Sequence, residues 1–149
     1  MQRSNGQAGD SEIWSARAST QLTAAAITAT QSVSGFDASL TVVAFKSAAG
    51  TGAVGAGSAA SGAPSITLTT THAQSLVYGV GNDYDNAIPR TLGGGQLMVD
   101  EWPDPSAGDT YWVQTIAGAV TSAGLAVTIN DTAPTTDRWN LAAVEVYPS

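Results

Sequence analysis

The sequence contains no cysteine, which excludes disulfide bonds and metal sites built on thiolates. It contains one histidine, His72, so a catalytic zinc site would need three carboxylate ligands, an unusual set. No Gly-x-Ser-x-Gly motif surrounds any serine, so a serine hydrolase is not indicated. These absences remove common signatures of catalysis, and we expect a protein that is not an enzyme.

Charged residues are few, and basic residues are the scarcest. The 149 residues include 12 Asp and Glu against five Lys and Arg, which gives a formal net charge of −7. A nucleic-acid partner would need a basic stripe to displace phosphate counterions, and anionic membranes also attract basic clusters. The sequence therefore predicts no nucleic-acid partner and no membrane partner.

Long apolar runs and signals of helix are also missing. No stretch of about 18 apolar residues occurs, and no window has a sustained apolar period of 3.6 residues. Residues 1–10 lack the basic and apolar regions of a signal peptide, and their composition predicts a polar linker. We expect one domain over residues 11–149, taken from a longer chain whose neighbouring domains are its partners.

Short runs typical of strands, separated by turn residues, fill most of the chain. Apolar and polar residues alternate in several of them, which indicates one buried and one exposed face. The pattern predicts an all-β fold: an antiparallel two-sheet β-sandwich, jelly-roll or immunoglobulin-like, of roughly 8–10 strands. The predicted strands are Glu12–Ala18, Leu22–Gln31, Ser39–Lys46, Ser65–Thr71, Ser75–Val80, Gln96–Trp102, Thr110–Thr115, Leu125–Asn130 and Trp139–Tyr147.

A stretch rich in Gly and Ala, residues 48–63, lies between two of these runs. Residues 50–55 match the Gly-x-Gly-x-x-Gly fingerprint of dinucleotide-binding proteins. The helix and the acidic residue that the fingerprint requires do not follow. We therefore predict a flexible connection or a weak edge strand here, and no cofactor.

Acidic residues concentrate between Asp83 and Asp109, where only Arg90 offsets them. Paired carboxylates about 5–9 Å apart hydrolyse glycosides, but no repeated Glu-x-Asp pattern supports such a pair. Asp83, Asp85 and Asp109 are candidate ligands for calcium, which prefers six to eight oxygen atoms. The third interpretation is a solvated acidic loop edge held by an Asx turn.

Four aromatic residues occur in the same region: Tyr84, Trp102, Tyr111 and Trp112. Exposed Trp and Tyr rings at the edge of a sandwich stack on sugar faces, while Asp and Asn bind sugar hydroxyls. These four residues are therefore candidates for binding a glycan or another surface polymer. Tyr111 and Trp112 are adjacent, so they point to opposite faces of a strand and one belongs to the core.

The last predicted strand, Trp139–Tyr147, has apolar residues on both faces. We expect it to close the sandwich, with core on one face and a covering loop, residues 130–136, on the other. Glu145 lies on a largely apolar face of this strand, so its carboxylate needs a buried partner. Arg17 and Arg138 are the candidates.

Five segments of the sequence are similar to segments of a known type of module: Ser11–Trp14, Leu40–Phe45, Val80–Asp85, Gly108–Gln114 and 130–145. Across about residues 11–147 the chain resembles an accessory β-sandwich module of bacterial extracellular multidomain proteins. The resemblance implies immunoglobulin-like or fibronectin-like neighbours and an extracellular or cell-surface location. It implies no particular ligand.

These observations lead to one expected function and two alternatives. We expect a non-catalytic module that serves adhesion or spacing within a secreted or surface multidomain protein. The alternatives are a carbohydrate-binding module and a structural subunit of a phage particle or surface filament. Calcium is the only cofactor that the sequence leaves open.

Overall fold

The chain forms ten strands and no helix, in a computed structural model that describes all of residues 1–149. The all-β expectation is therefore confirmed, and no helix long and apolar enough to cross a membrane is present. The strands are β1 (Gln2–Ser4), β2 (Ser11–Ile13), β3 (Ala48–Ala59), β4 (Ser65–Thr69), β5 (Leu76–Asp83), β6 (Thr91–Leu92), β7 (Gln96–Asp104), β8 (Asp109–Ile116), β9 (Ala126–Ala133) and β10 (Trp139–Pro148).

Two antiparallel sheets form the sandwich, as the alternating pattern predicts. The larger sheet has five strands in the order β3-β10-β5-β8-β7, and the smaller has three in the order β4-β9-β6. β10 pairs with both β3 and β5, so the last strand of the chain lies inside the larger sheet. Strand order in the larger sheet thus depends on contacts between distant parts of the sequence.

The hydrophobic core lies between the two sheets and follows the period of two. Trp112 in β8 is 1% exposed, and Leu141 in β10 and Ile129 in β9 are fully buried. One face of each strand therefore supplies the core while its other face points outward. The core cluster comprises Leu68, Val77, Trp112, Val120, Ile129, Trp139, Leu141 and Ala143.

Glycines in β5 make room for these large side chains. A Cβ atom at Gly81 would collide with the indole ring of Trp112, and one at Gly79 would lie 2.6 Å from Cγ2 of Ile129. A larger residue at Gly79 would press against the smaller sheet, and one at Gly81 would displace the indole of its cross-strand neighbour. The glycine content of this strand is therefore a packing requirement of the core.

The outer face of the larger sheet is covered by the β1–β2 hairpin. The Ser11 hydroxyl donates a hydrogen bond to the backbone oxygen of Asn140 (3.0 Å), and the backbone N–H of Gln7 donates to the Asn140 side chain (3.1 Å). Residues 1–10 thus contain a strand packed on the sheet, where composition predicts a polar linker. The hairpin, rather than residues 130–136, covers the second face of β10.

Residues 14–47 connect β2 to β3 without forming any strand. The predicted strands Leu22–Gln31 and Ser39–Lys46 are therefore wrong for the single chain, and the strand predicted over Glu12–Ala18 ends at Ile13. The Gly-rich stretch from residue 48 forms β3, which is twelve residues long and lies at an edge. The six later predictions are confirmed with shifted ends, as β4, β5, β7, β8, β9 and β10.

Replacing Trp139 with Ala should lower the free energy of unfolding by about 3–5 kcal/mol. The indole is 7% exposed and belongs to the core cluster, at the start of the strand that joins β3 to β5. Urea denaturation measures the loss. Removing residues 139–149 should leave an unfolded or aggregating chain, and a truncated chain that still melts cooperatively would contradict this placement of β10.

Candidate functional site

Trp102 and Tyr111 form an aromatic pair on the outer face of the larger sheet. They lie opposite each other in the β7–β8 ladder, with ring centroids 5.7 Å apart and ring planes inclined by 32°. Trp102 is 43% exposed and Tyr111 is half-buried. Because cross-strand neighbours point to the same face, the register of this hairpin alone brings the two rings together.

The other two predicted aromatic residues do not join this pair. Trp112 points inward as the neighbour of Tyr111, and its burial in the core makes it inaccessible to a ligand. Tyr84 is exposed beyond the end of β5 and makes no ring contact with Trp102 or Tyr111. Of the four residues, the structure thus assembles Trp102 and Tyr111, and it corrects the prediction for Trp112.

Acidic residues surround the aromatic pair. The Tyr111 hydroxyl donates a hydrogen bond to Oδ2 of Asp109 (2.8 Å), and burial together with this bond raises the pKa of Tyr111 well above its usual range. Burial also raises the pKa of Asp109, and the negative charges of Asp37 and Asp104 add to the effect. Nearby, Thr41 donates to Oδ2 of Asp100 (2.6 Å). The surface therefore combines two aromatic rings with the exposed carboxylate of Asp100, whereas Asp109 is itself buried.

The three predicted calcium ligands have other partners. Asp83 pairs with Arg90 (2.7 Å), Asp85 with Arg138 (2.6 Å), and Asp109 accepts from Tyr111. No group of three or more His, Cys, Asp or Glu side chains is placed to hold a metal ion. Each of the three carboxylates is thus engaged by a neighbouring side chain.

Arg90 is the centre of a buried ion-pair network that was not predicted from the sequence. Its Nη1 lies 2.7 Å from Asp83 and its Nε 3.1 Å from Asp131, and all three side chains are at most 1% exposed. The guanidinium also lies over the Trp112 ring, 4.6 Å from the centroid. The sequence does contain a signal for an ion pair here, because Arg90 is the only basic residue in the acidic stretch from Asp83 to Asp109.

Two carboxylates share one guanidinium in this network, so it carries a net negative charge inside the protein. Burial raises the pKa of Asp83 to about 6 and that of Asp131 to about 6, against the opposing effect of Arg90. Oδ1 of Asp131 has no hydrogen-bond partner. The network is therefore a structural feature that favours a protonated carboxyl group near neutral pH.

Glu145 is fully buried in β10, and its partners are backbone amides rather than a cation. Oε2 accepts hydrogen bonds from the N–H of Ala53 (2.8 Å) and from the hydroxyl of Thr71 (2.7 Å), while Oε1 accepts from the N–H of His72 (3.0 Å). Burial alone would raise the pKa of Glu145, but these hydrogen bonds outweigh it and lower the pKa to about 2.

The partners predicted for Glu145 were therefore wrong. Arg138 pairs with Asp85, and Arg17 is exposed. The amides reach the carboxylate because the ladder between β10 and β3 shifts register between Val144 and Val146. This bulge turns an N–H of β3 toward Glu145, and it depends on a long-range pairing that residue types do not reveal.

Comparisons with protein-family models, curated proteins and solved structures give no match for this chain. The argument for function therefore rests on the residues and their geometry.

Replacing Glu145 with Gln should lower the free energy of unfolding by about 2–4 kcal/mol. The amide nitrogen of Gln cannot accept hydrogen bonds, so at least one buried donor among Ala53, Thr71 and His72 is left unsatisfied. Glu12→Gln is the matched control, because Glu12 is partly exposed on the hairpin and its loss should cost under about 1 kcal/mol. Equal stability of the two variants would contradict the role assigned to Glu145.

Stability should be greatest near pH 4, and it should already be falling at pH 5. The pKa values of Asp83 and Asp131 are higher in the folded chain than the ordinary value of 3.8, so their contribution is complete below pH 3.8 and is lost as pH rises through 6. The pKa of Glu145 is lower than the ordinary 4.5, so its contribution is present above that pH and is lost toward pH 2.

Thermal melting between pH 3 and 8 measures this profile. We expect the wild-type chain to lose about 1–3 kcal/mol between pH 5 and 7. Asp131→Asn should reduce that loss by half or more, because Arg90 then neutralises Asp83 alone. A flat profile for the wild type, or an unchanged one for Asp131→Asn, would show that the network is not negatively charged.

Proposed function

We propose that this chain is a non-catalytic β-sandwich module of a secreted or surface multidomain protein, and that it adheres to carbohydrate through Trp102 and Tyr111. One observation carries the proposal: two aromatic rings lie together on the outer face of the larger sheet, and the exposed carboxylate of Asp100 lies two residues from Trp102 along β7. A sugar ring presents an apolar face to such rings and hydroxyl groups to such an acceptor. The expected setting, beside other extracellular domains of a bacterial protein, fits an adhesive module.

The exposed indole of Trp102 is the feature that packing alone does not explain. It lies on the edge hairpin of the larger sheet, while the core is filled by Trp112 and Trp139 from the other face. Tyr111 is held in place by its hydrogen bond to Asp109, so the pair is ordered before a ligand arrives. Preorganised aromatic surfaces lose little conformational entropy on binding, which favours their use as contact sites.

The carboxylates also argue for a binding role rather than hydrolysis. Asp83 and Asp131 are engaged by Arg90, Asp85 by Arg138, and Glu145 by backbone amides. A pocket of about 40 Å³ beside the β1–β2 hairpin and one of about 100 Å³ beside Tyr147 are not lined by any acidic residue. Ligand pockets of enzymes usually measure about 300–1,000 Å³, so a flat surface contact fits this chain better.

Binding to a panel of polysaccharides tests the proposal. Affinity gel electrophoresis with soluble xylan, β-glucan and starch, together with pull-down on cellulose and chitin, should identify at least one retained polymer. Trp102→Ala should weaken that binding at least about tenfold while leaving the melting temperature close to that of wild type, because the indole is a surface group.

Trp14→Ala is the matched control. Trp14 is another exposed tryptophan, at 70%, and it lies beside the hairpin rather than on β7. We expect this variant to bind like wild type. Failure of every polymer to bind, or equal loss of binding in both variants, would overturn the assignment of the Trp102–Tyr111 surface.

A further inference from the structure

Residues 15–36, which we call the arm, have no partner within the chain. They make no hydrogen bond of any kind, and every one of them is exposed. Four large apolar side chains, Leu22, Ile27, Val33 and Phe36, are between 55% and 62% exposed. Exposure of so much apolar surface is unfavourable in water, so a contact outside the single chain is expected to cover it.

The composition of the arm is that of a strand. Arg17 is its only charged residue, and residues 22–31 are Leu, Thr, Ala, Ile and Gln, without Gly or Pro. Thr and Ile are β-branched, and an alanine-rich segment with three threonines and an isoleucine extends readily. The ten residues from Leu22 to Gln31 span about 33 Å when extended.

β3 offers a free edge of matching length and chemistry. It pairs with β10 on one side only, so its other edge has no neighbouring strand, although the Gly57 carbonyl accepts a hydrogen bond from Ser4. It contains no charged residue and no Pro, and the one device that protects this edge from pairing is the bulge opposite Glu145. The opposite edge, β7, carries Asp100, Glu101 and Asp104 together with Pro103, and is protected in this sense.

The arm begins beside β3, where Ser15 lies with Thr51 and Val54, but it does not pair with this edge in its own chain. Before it, Ile13 lies beside Val54 and Val144, above β3 and β10. After it, Thr41 is fixed to Asp100 of β7, at the far edge of the sheet and roughly 19 Å across. A chain that paired with β3 would have to return across an outer face already covered by the β1–β2 hairpin.

We propose that the arm adds as a strand to the free edge of β3 in a second copy of this chain. β3 is uncharged and the arm carries only Arg17, so their contact avoids the repulsion that the net charge of −7 imposes on most other surfaces. Reciprocal exchange of two arms gives a closed dimer, and one-way addition gives a filament. The inference is independent of the carbohydrate surface, because it uses the opposite edge of the sheet.

The absence of cysteine permits a direct test. One variant carries Thr28→Cys in the arm and the other carries Ala56→Cys in β3, each with a distinct mass tag. A flexible bismaleimide, which tolerates differences in register, should link the two variants to each other when they are mixed. A double variant that links only within one chain, together with no link in the mixture, would overturn the proposal and show pairing within the chain.

Light scattering during size exclusion, over a range of concentrations, provides the second measurement. Wild type should associate, and Ile27→Pro should weaken association at least about tenfold, because proline removes a backbone donor and breaks a paired strand. The fold should be unaffected, since Ile27 makes no hydrogen bond in the single chain. A wild-type chain that stays monomeric, or an Ile27→Pro variant that associates like wild type, would overturn the proposal.

Charged substitutions at the two edges complete the test. Ala56→Lys places a charge on the free edge of β3 and should weaken association to a similar extent. Leu97→Lys is its matched control, on the exposed surface of β7 at the opposite edge, and should associate like wild type. Equal effects of the two lysines would contradict the choice of β3 as the receiving edge.

Discussion

The position of β10 between β3 and β5 determines how the rest of the molecule is arranged. This strand is hydrogen-bonded along both sides, and its residues from Trp139 to Glu145 are all buried. A strand buried on both faces requires a layer above and a layer below. The three-stranded sheet supplies one layer and the β1–β2 hairpin supplies the other. Asn140 contacts the hairpin, while its neighbour Leu141 points into the core between the sheets.

Polar groups inside the sandwich fix this arrangement more specifically than the apolar core. Arg90 joins Asp83 of β5 to Asp131 of β9, so it ties the two sheets together by charge. Glu145 joins β10 to β3 and to the residues after β4. An unpaired buried charge is costly, so each network tolerates few alternative registers of the strands that supply it.

The alternation of residues predicted the two sheets and six of the strands, because a period of two reports directly on burial. It left β3 open between a flexible connection and a weak edge strand, since Gly and Ala carry no pattern and the strand is specified by its pairing with β10. It overpredicted strands in the arm, since Leu22–Gln31 has the composition of a strand but finds no edge in its own chain. Trp102 and Tyr111 were both identified from residue type, but their contact depends on the hairpin register between β7 and β8.

The partners of the buried charges could not be found from the sequence for the same reason. Arg90 and Asp131 are 41 residues apart, and Glu145 meets Ala53 across 92 residues. Residue types limit a buried carboxylate to a cation or a set of N–H donors, and only the fold decides between them. Asp83 and Asp131 are paired with a cation, Arg90. Glu145 is instead bound by N–H donors, one of which lies at the bulge in β3. On the β7–β8 hairpin, Asp109 is buried and accepts from Tyr111, whereas Asp100 is exposed and accepts only from Thr41. Charge inside the sandwich is thus committed to structure, while the exposed carboxylate of Asp100 keeps an oxygen atom without a partner in the protein.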